Sequence, residues 1–167
     1  SDLAFQREKV DRPWIRAAEL AAYNFRLCDI LASIGLVQLQ KLDEMNEKRR
    51  KHAFFLNKEL ESDFVQVPIE LPHRKHVYQM YAIRISEEFD RQQFVQELRK
   101  REVMASVHFD PPVHKQTFYK KFFKKQKNSL KNTNKLCNEI ITLPLYPSMK
   151  IKDQKVVIKE IKNFFNY

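Results

Sequence analysis

Between about Leu27 and Leu60 apolar residues recur at three- and four-residue intervals, a spacing that predicts helix. Leu31, Ile34, Leu42, Met45, Ala53, Leu56 and Leu60 fall close to one stripe. The DEMNEKRRK run supplies the polar face, with Glu44 and Lys48 placed to attract each other across one turn. One long helix or two in series would fit, with Gly35 the expected break. The period then shortens. Val65 to Pro68 and HVYQMYAIRI (76–85) are rich in β-branched and aromatic residues and predict strands. Phe89 to Arg101 turns helical again, with Phe94, Val95 and Leu98 inward. Met104 to Phe109 predicts another short strand, ended by Pro111–Pro112, which cannot continue a ladder. Residues 115–131 read as an exposed loop or short helix. Thr133 to Ile141 predicts a helix with Leu136, Cys137, Ile140 and Ile141 inward, and Leu143 to Tyr146 a short extended piece. A last helix from about Ile151 to Phe165 would pack Val157, Ile161, Phe164 and Phe165. Residues 1–25 carry little periodicity, and Pro13 turns its predecessor away from helix. Helices around a few short strands, without βαβ alternation, predict an α+β fold.

Composition narrows this picture. The 167 residues are 43% hydrophobic and 31% charged, the makeup of a globular domain with a real core. No apolar stretch approaches the ~20 residues that cross a bilayer, so no membrane partner is expected. The opening SDLAFQREKVDRPW has neither an initiator methionine nor a signal-like apolar run, and a fragment of something larger is expected. Cys28 and Cys137 are too few and too distant for a disulfide framework or zinc site. Both sit in apolar-periodic stretches and are expected as small buried hydrophobes in a reducing, cytoplasmic compartment. The net charge of +10 favours polyanions, phosphorylated small molecules included, or reflects a well-solvated surface. The single glycine, Gly35, excludes Walker and dinucleotide phosphate loops, which need several.

Four stretches carry a resemblance. YNFRLCDI (23–30) with the following LASIGLVQLQKLDEMNEKRR resembles the GYNYRMTDIQAALGLAQLEKLDEFNEKRR stretch of the DegT/DnrJ family. HVYQMYAIRI, ASVHFDPPVHKQTFYKKF and NEIITLPLYPSMKIKDQKVVIKEIKNF resemble later segments of that family in the same order. The likeness runs from about Asp11 to Phe165. It implies a fold-type-I enzyme dependent on pyridoxal phosphate (PLP). Such an enzyme moves an amino group from an amino acid, commonly glutamate, to a nucleotide-linked keto-sugar, and works as a homodimer. It further implies that residues 1–26 end the large domain, and that 27–167 form the C-terminal small domain with its long connecting helix. The cofactor lysine belongs to an upstream serine-histidine-lysine segment, and nothing here matches it. No lysine of this chain is expected to be catalytic, and the chain alone is expected to be inactive and to hold PLP weakly or not at all.

The same resemblance implies that Asn24 donates to the cofactor phosphate of the neighbouring subunit and that Arg26 strengthens this anion contact or orders the loop. An amide and a guanidinium at a helix start suit an anion. Taken without the resemblance, Asn24 suits a helix N-cap better than an anion contact. His108 and His114 flank the Pro-Pro turn, which the family places at the mouth of its active site, so both are candidates for substrate contact. No carboxylate or cysteine cluster supports a metal there. Lysines of the 115–131 run could attract a nucleotide diphosphate, but Phe118, Tyr119, Phe122 and Phe123 interleave at a spacing that suits packing. Nucleic acid is therefore the less favoured partner. Glu102 stands where the family has glycine, and a left-handed helix end there would cost about 1 kcal/mol. Two alternatives stay open: a dehydratase of the same family, using histidine in place of lysine, and a basic binding module without catalysis.

Overall fold

The computed structural model describes residues 23, 27–108, 110–122 and 130–166. The chain divides into two compact units, residues 1–37 and 38–167. Helix α1 (Asp29–Gln40) begins in the first and ends in the second. Apolar residues occupy most of its circumference, with Asp29, Ser33 and Gln40 together on one side, and Ile30, Leu31, Ile34, Leu36, Val37 and Leu39 are all exposed. Helix α2 (Leu42–Leu60) follows after one residue. The break is therefore at Lys41, not at Gly35. Lys41 N–H donates to Gln38 at 3.1 Å, a tighter turn than the α-ladder allows, while Lys41 O already accepts from Met45 at 3.0 Å. Gly35 stays helical between strongly apolar neighbours.

The second unit is organised by a three-stranded antiparallel sheet in the order β1 (Val65–Gln66), β2 (Tyr81–Ile85), β3 (Ile140–Leu143). Its register places Val65 opposite Ile85, Tyr81 opposite Leu143 and Ile83 opposite Ile141. All six are buried on one face, as the two-residue period of a strand requires. That face is covered by the inner stripes of α2, α3 (Arg91–Lys100) and α5 (Ile151–Phe165). Between α3 and α5 lies a knot of aromatic rings: Phe94–Phe164 and Phe89–Phe165 have centroids 4.7 Å apart, and Phe64 stacks on Phe165 at 5.6 Å. Edge-to-face pairs of this kind add to what burial alone contributes. Helix α4 (Lys131–Glu139) meets β2 on its other side and runs straight into β3.

Several elements differ from the sequence expectation. The strand over 76–85 begins only at Tyr81, because Tyr78 has φ 47°, outside the extended region, and its N–H turns back to His76 Nδ1 at 2.9 Å. The helix expected to reach Ile141 stops at Glu139; Ile140 and Ile141 are strand, and Leu136 is exposed. Of the strand expected over 104–109, residues 104–108 hold one bridge, Ser106 to Thr142, and Phe109 lies outside the described residues. Cys28 is exposed and Cys137 half-buried, so neither is the buried hydrophobe expected. Leu31, Ile34 and Leu42 are exposed, and the inward stripe begins only within α2, at Ala53, Leu56 and Leu60. Glu102 does take the left-handed conformation, with φ 63°.

Candidate functional site

Both candidate histidines lie on the segment that follows α3 and is tied to the α4–β3 unit. Ser106 starts it by exchanging two backbone hydrogen bonds with Thr142, at 2.9 and 2.8 Å. His108 then sets Nδ1 3.0 Å from the Thr142 hydroxyl, a group able to donate or accept. The chain turns at Pro111 and Pro112 and enters a single 3-10 turn, Val113–Lys115. There His114 Nε2 lies 3.1 Å from Asn134 Oδ1 on α4, so this nitrogen carries the proton and donates. Both rings are half-buried. The structure thus fastens the two residues to one continuous piece of backbone, at Thr142 and Asn134.

The turn between them is held by Arg91, the first residue of α3. Its Nη2 donates to Asp110 Oδ2 at 2.5 Å and its Nη1 to the Cys137 carbonyl near the end of α4. One guanidinium, mostly covered, therefore ties three elements, and its fork geometry suits that task better than a single ammonium. Nothing in the sequence marked Arg91. Its partners lie 19 and 46 residues away, beyond any local pattern.

A second polar cluster went unmarked for the same reason. Arg50 on α2 grips Glu70 through both nitrogens and also donates to the His76 carbonyl at 2.8 Å. His76 N–H donates back to Glu70 Oε2 at 2.9 Å. The Arg50 guanidinium and then the His76 amide hold the Glu70 carboxyl down at about 2. The loop before β2 is fixed by this exchange, with the Arg50 side chain also lying over the Phe54 ring at 5.2 Å.

Asn24 and Arg26 lie outside the described residues. In the lysine-rich segment, Lys115, Lys120 and Lys121 are exposed. Phe118, Tyr119 and Phe122 are exposed too, contrary to the packing expected of them. They lie against one another, and Lys121 Nζ sits 4.7 Å from the Phe118 ring centre and 5.1 Å from that of Phe122. Phe123 lies outside the described residues.

PLP demands a lysine that can lose its proton and a cup for its phosphate. Among the described residues no lysine is buried, and the Glu87 carboxylate raises the pKa of Lys135, the opposite of what imine chemistry needs. Gly35, the single glycine, lies within α1. The described residues therefore do not fit the cofactor by themselves. They also hold no group of three histidine, cysteine, aspartate or glutamate side chains that could bind a metal. No helix among them is long and apolar enough to cross a membrane.

Comparison with known proteins adds the following. Residues 4–162 match the family described as the DegT/DnrJ/EryC1/StrS aminotransferase family. An uncharacterized protein of Methanocaldococcus jannaschii is 31% identical over 163 residues, covering 95% of this chain and 42% of that protein. The UDP-4-amino-4,6-dideoxy-N-acetyl-beta-L-altrosamine transaminase of Campylobacter jejuni is 31% identical over 139 residues, covering 81% of this chain and 36% of the enzyme. Among solved structures, the aminotransferase TlmJ of Streptoalloteichus hindustanus superposes with a TM-score of 0.76 at 26% identity, covering 94% of this chain and 41% of that one. The chain spans about two fifths of the length of these relatives.

Proposed function

Because this chain belongs to the DegT/DnrJ/EryC1/StrS aminotransferase family, we propose that it is the C-terminal portion of a PLP-dependent aminotransferase acting on a nucleotide-linked keto-sugar. In this reading residues 1–26 complete the large domain, and 27–167 are the small domain with its connecting helix, in a cytoplasmic, fold-type-I homodimer. The donor is an amino acid, glutamate by preference. The observation that carries the proposal is the match over 4–162 to a family whose named relatives include nucleotide-sugar transaminases, at about two fifths of their length. The apolar surface of α1 supports it: six large aliphatic residues exposed on one helix normally mark a covered surface, here covered by the rest of the enzyme.

The cofactor, when bound, supplies the electron sink for amino transfer, and its lysine comes from the large domain. This chain's own residues do the surrounding work. Asn24 and Arg26 bind the phosphate of the cofactor in the neighbouring subunit, as a side-chain amide and a guanidinium suit an anion. His108 and His114 line the mouth of the cleft and touch the sugar or its diphosphate, held in place through Thr142 and Asn134. Arg91 keeps the turn between them in register with α4.

The test uses two proteins. The full-length polypeptide, given PLP, glutamate and a nucleotide-linked keto-sugar, is expected to yield the amino-sugar by mass spectrometry. Asn24→Ala in that protein should lower PLP affinity. The 167-residue chain alone should lose PLP on dialysis. Retention of stoichiometric cofactor by the chain alone, fixed by borohydride to one of its own lysines, would overturn the assignment.

A further inference from the structure

From Pro111 to Lys131 the chain carries seven lysines and no acidic residue, and no arginine follows Arg101. Lys115, Lys120 and Lys121 are exposed, and none of the three forms an ion pair with another described residue. Elsewhere on the surface charges meet in pairs, as Lys48 meets Glu44 and Lys135 meets Glu87. Here positive charge stands uncompensated and faces solvent.

The same stretch presents aromatic rings. Phe118 is 63% exposed, Phe122 64% and Tyr119 41%. They touch one another, with the Phe118 centroid 5.1 Å from that of Tyr119 and 5.9 Å from that of Phe122. A single exposed apolar side chain is ordinary, but large apolar groups gathered into a patch mark a contact surface. The 3-10 turn Tyr119–Lys121 joins the two phenylalanines and sets Lys121 Nζ over both rings, at 4.7 and 5.1 Å. Charge and apolar area therefore form one surface, not two.

We propose that this patch adsorbs to an anionic lipid surface, with Phe118 and Phe122 entering the acyl boundary and Lys115, Lys120 and Lys121 meeting the headgroups. Phenylalanine suits that boundary, and the long apolar stem of lysine lets its ammonium reach headgroup phosphates from beside it. Clustered lysines add their attractions to a negatively charged leaflet. Nucleic acid fits less well. Base edges are read chiefly by arginine forks, which the segment lacks. Stacked bases need open ring faces, whereas Phe118 and Tyr119 stand edge to face at 88° and Lys121 lies over Phe118 and Phe122. The lack of a membrane-crossing helix among the described residues bears only on a span, and adsorption needs none. The inference rests on this surface and does not depend on the proposed transaminase reaction.

The test sediments the full-length polypeptide, without PLP or sugar, with vesicles of phosphatidylcholine alone or mixed equally with phosphatidylglycerol. Reversible binding is expected to the mixed vesicles only, weakening as salt is raised. Lys120→Gln with Lys121→Gln should lower the partition about thirtyfold. Phe118→Ser with Phe122→Ser should lower it about tenfold or more by removing the inserted rings. All four positions are exposed, and an unchanged Tm checks that the fold is kept. Lys152→Gln with Lys155→Gln, exposed on α5, removes equal charge away from the patch and should change binding less than about threefold. Phe118→Trp should gain emission that acyl-brominated lipid quenches. No binding at low salt, equal binding to phosphatidylcholine alone, unaltered binding of the paired serine variant, or tighter binding to single-stranded RNA would each overturn the proposal.

Discussion

Glu102→Gly should stabilise the protein. Helix α3 ends in a Schellman motif: Val103 N–H donates to Leu98 O at 2.9 Å and Glu102 N–H to Arg99 O at 3.1 Å. Val103 is buried behind the turn against Leu98, so the motif cannot relax without exposing both. Glu102, with φ 63°, therefore holds a left-handed conformation that crowds its Cβ against the following carbonyl. That crowding costs an L-residue about 1–2 kcal/mol, whereas glycine avoids it but loses about 0.5–1 kcal/mol more backbone entropy on folding. The net gain is about 0.5–1 kcal/mol, equivalent to a rise in Tm of about 1–4 °C for a protein of this size. Glu102→Ala separates the causes. It keeps the Cβ and removes only a negative charge from a helix C-terminus, an effect of about 0.3 kcal/mol at an exposed site. Thermal melts and urea titrations of the three proteins measure the difference, with an unchanged urea slope as the check on unfolded-state effects. If glycine and alanine melt together, or glycine melts lower than glutamate, the strain argument fails.

Two further outcomes follow from the same structure. Glu70 has its carboxyl held down at about 2 by Arg50 and the His76 amide, below its ordinary value in the unfolded chain. Its contribution is thus complete above the ordinary carboxylate range and disappears as pH falls toward 2. Glu70→Gln should flatten the acid limb of urea stability measured between neutral pH and about pH 2, and Arg50→Ala should move the Glu70 carboxyl titration upward by NMR. Phe94→Ala, at a fully buried ring wedged against Phe164 and Phe165, should cost about 3–5 kcal/mol, read as a lower urea midpoint.

The sequence carried the elements whose apolar pattern has one clean period. In α5, Val157, Ile161 and Phe165 recur every four residues and all are buried; α3 shows Phe94 and Leu98 in the same way. It misled where two periods run together. Ile140 and Ile141 prolong the apolar face of α4, so the helix seemed to continue, yet pairing with Arg84 and Ile83 on β2 claims them for the sheet. Tyr78 has high strand propensity, but a bond to the His76 ring two residues back overrides it. In the candidate site the two histidines could be found from their motif. The partners that fix them could not, because Thr142 and Asn134 approach from 34 and 20 residues away and Arg91 reaches Asp110 across 19, distances only the folded chain closes. The left-handed turn at Glu102 was legible only through the family resemblance, which has glycine at that place, and its φ of 63° agrees.

Glu139 and Ile140 are consecutive: helix becomes strand with no linker between them. A junction without slack transmits displacement. The strand side of the joint is anchored by its ladder to β2, so the end of the helix is anchored with it. His114 and His108 are tethered one on either side of that joint, at Asn134 and Thr142.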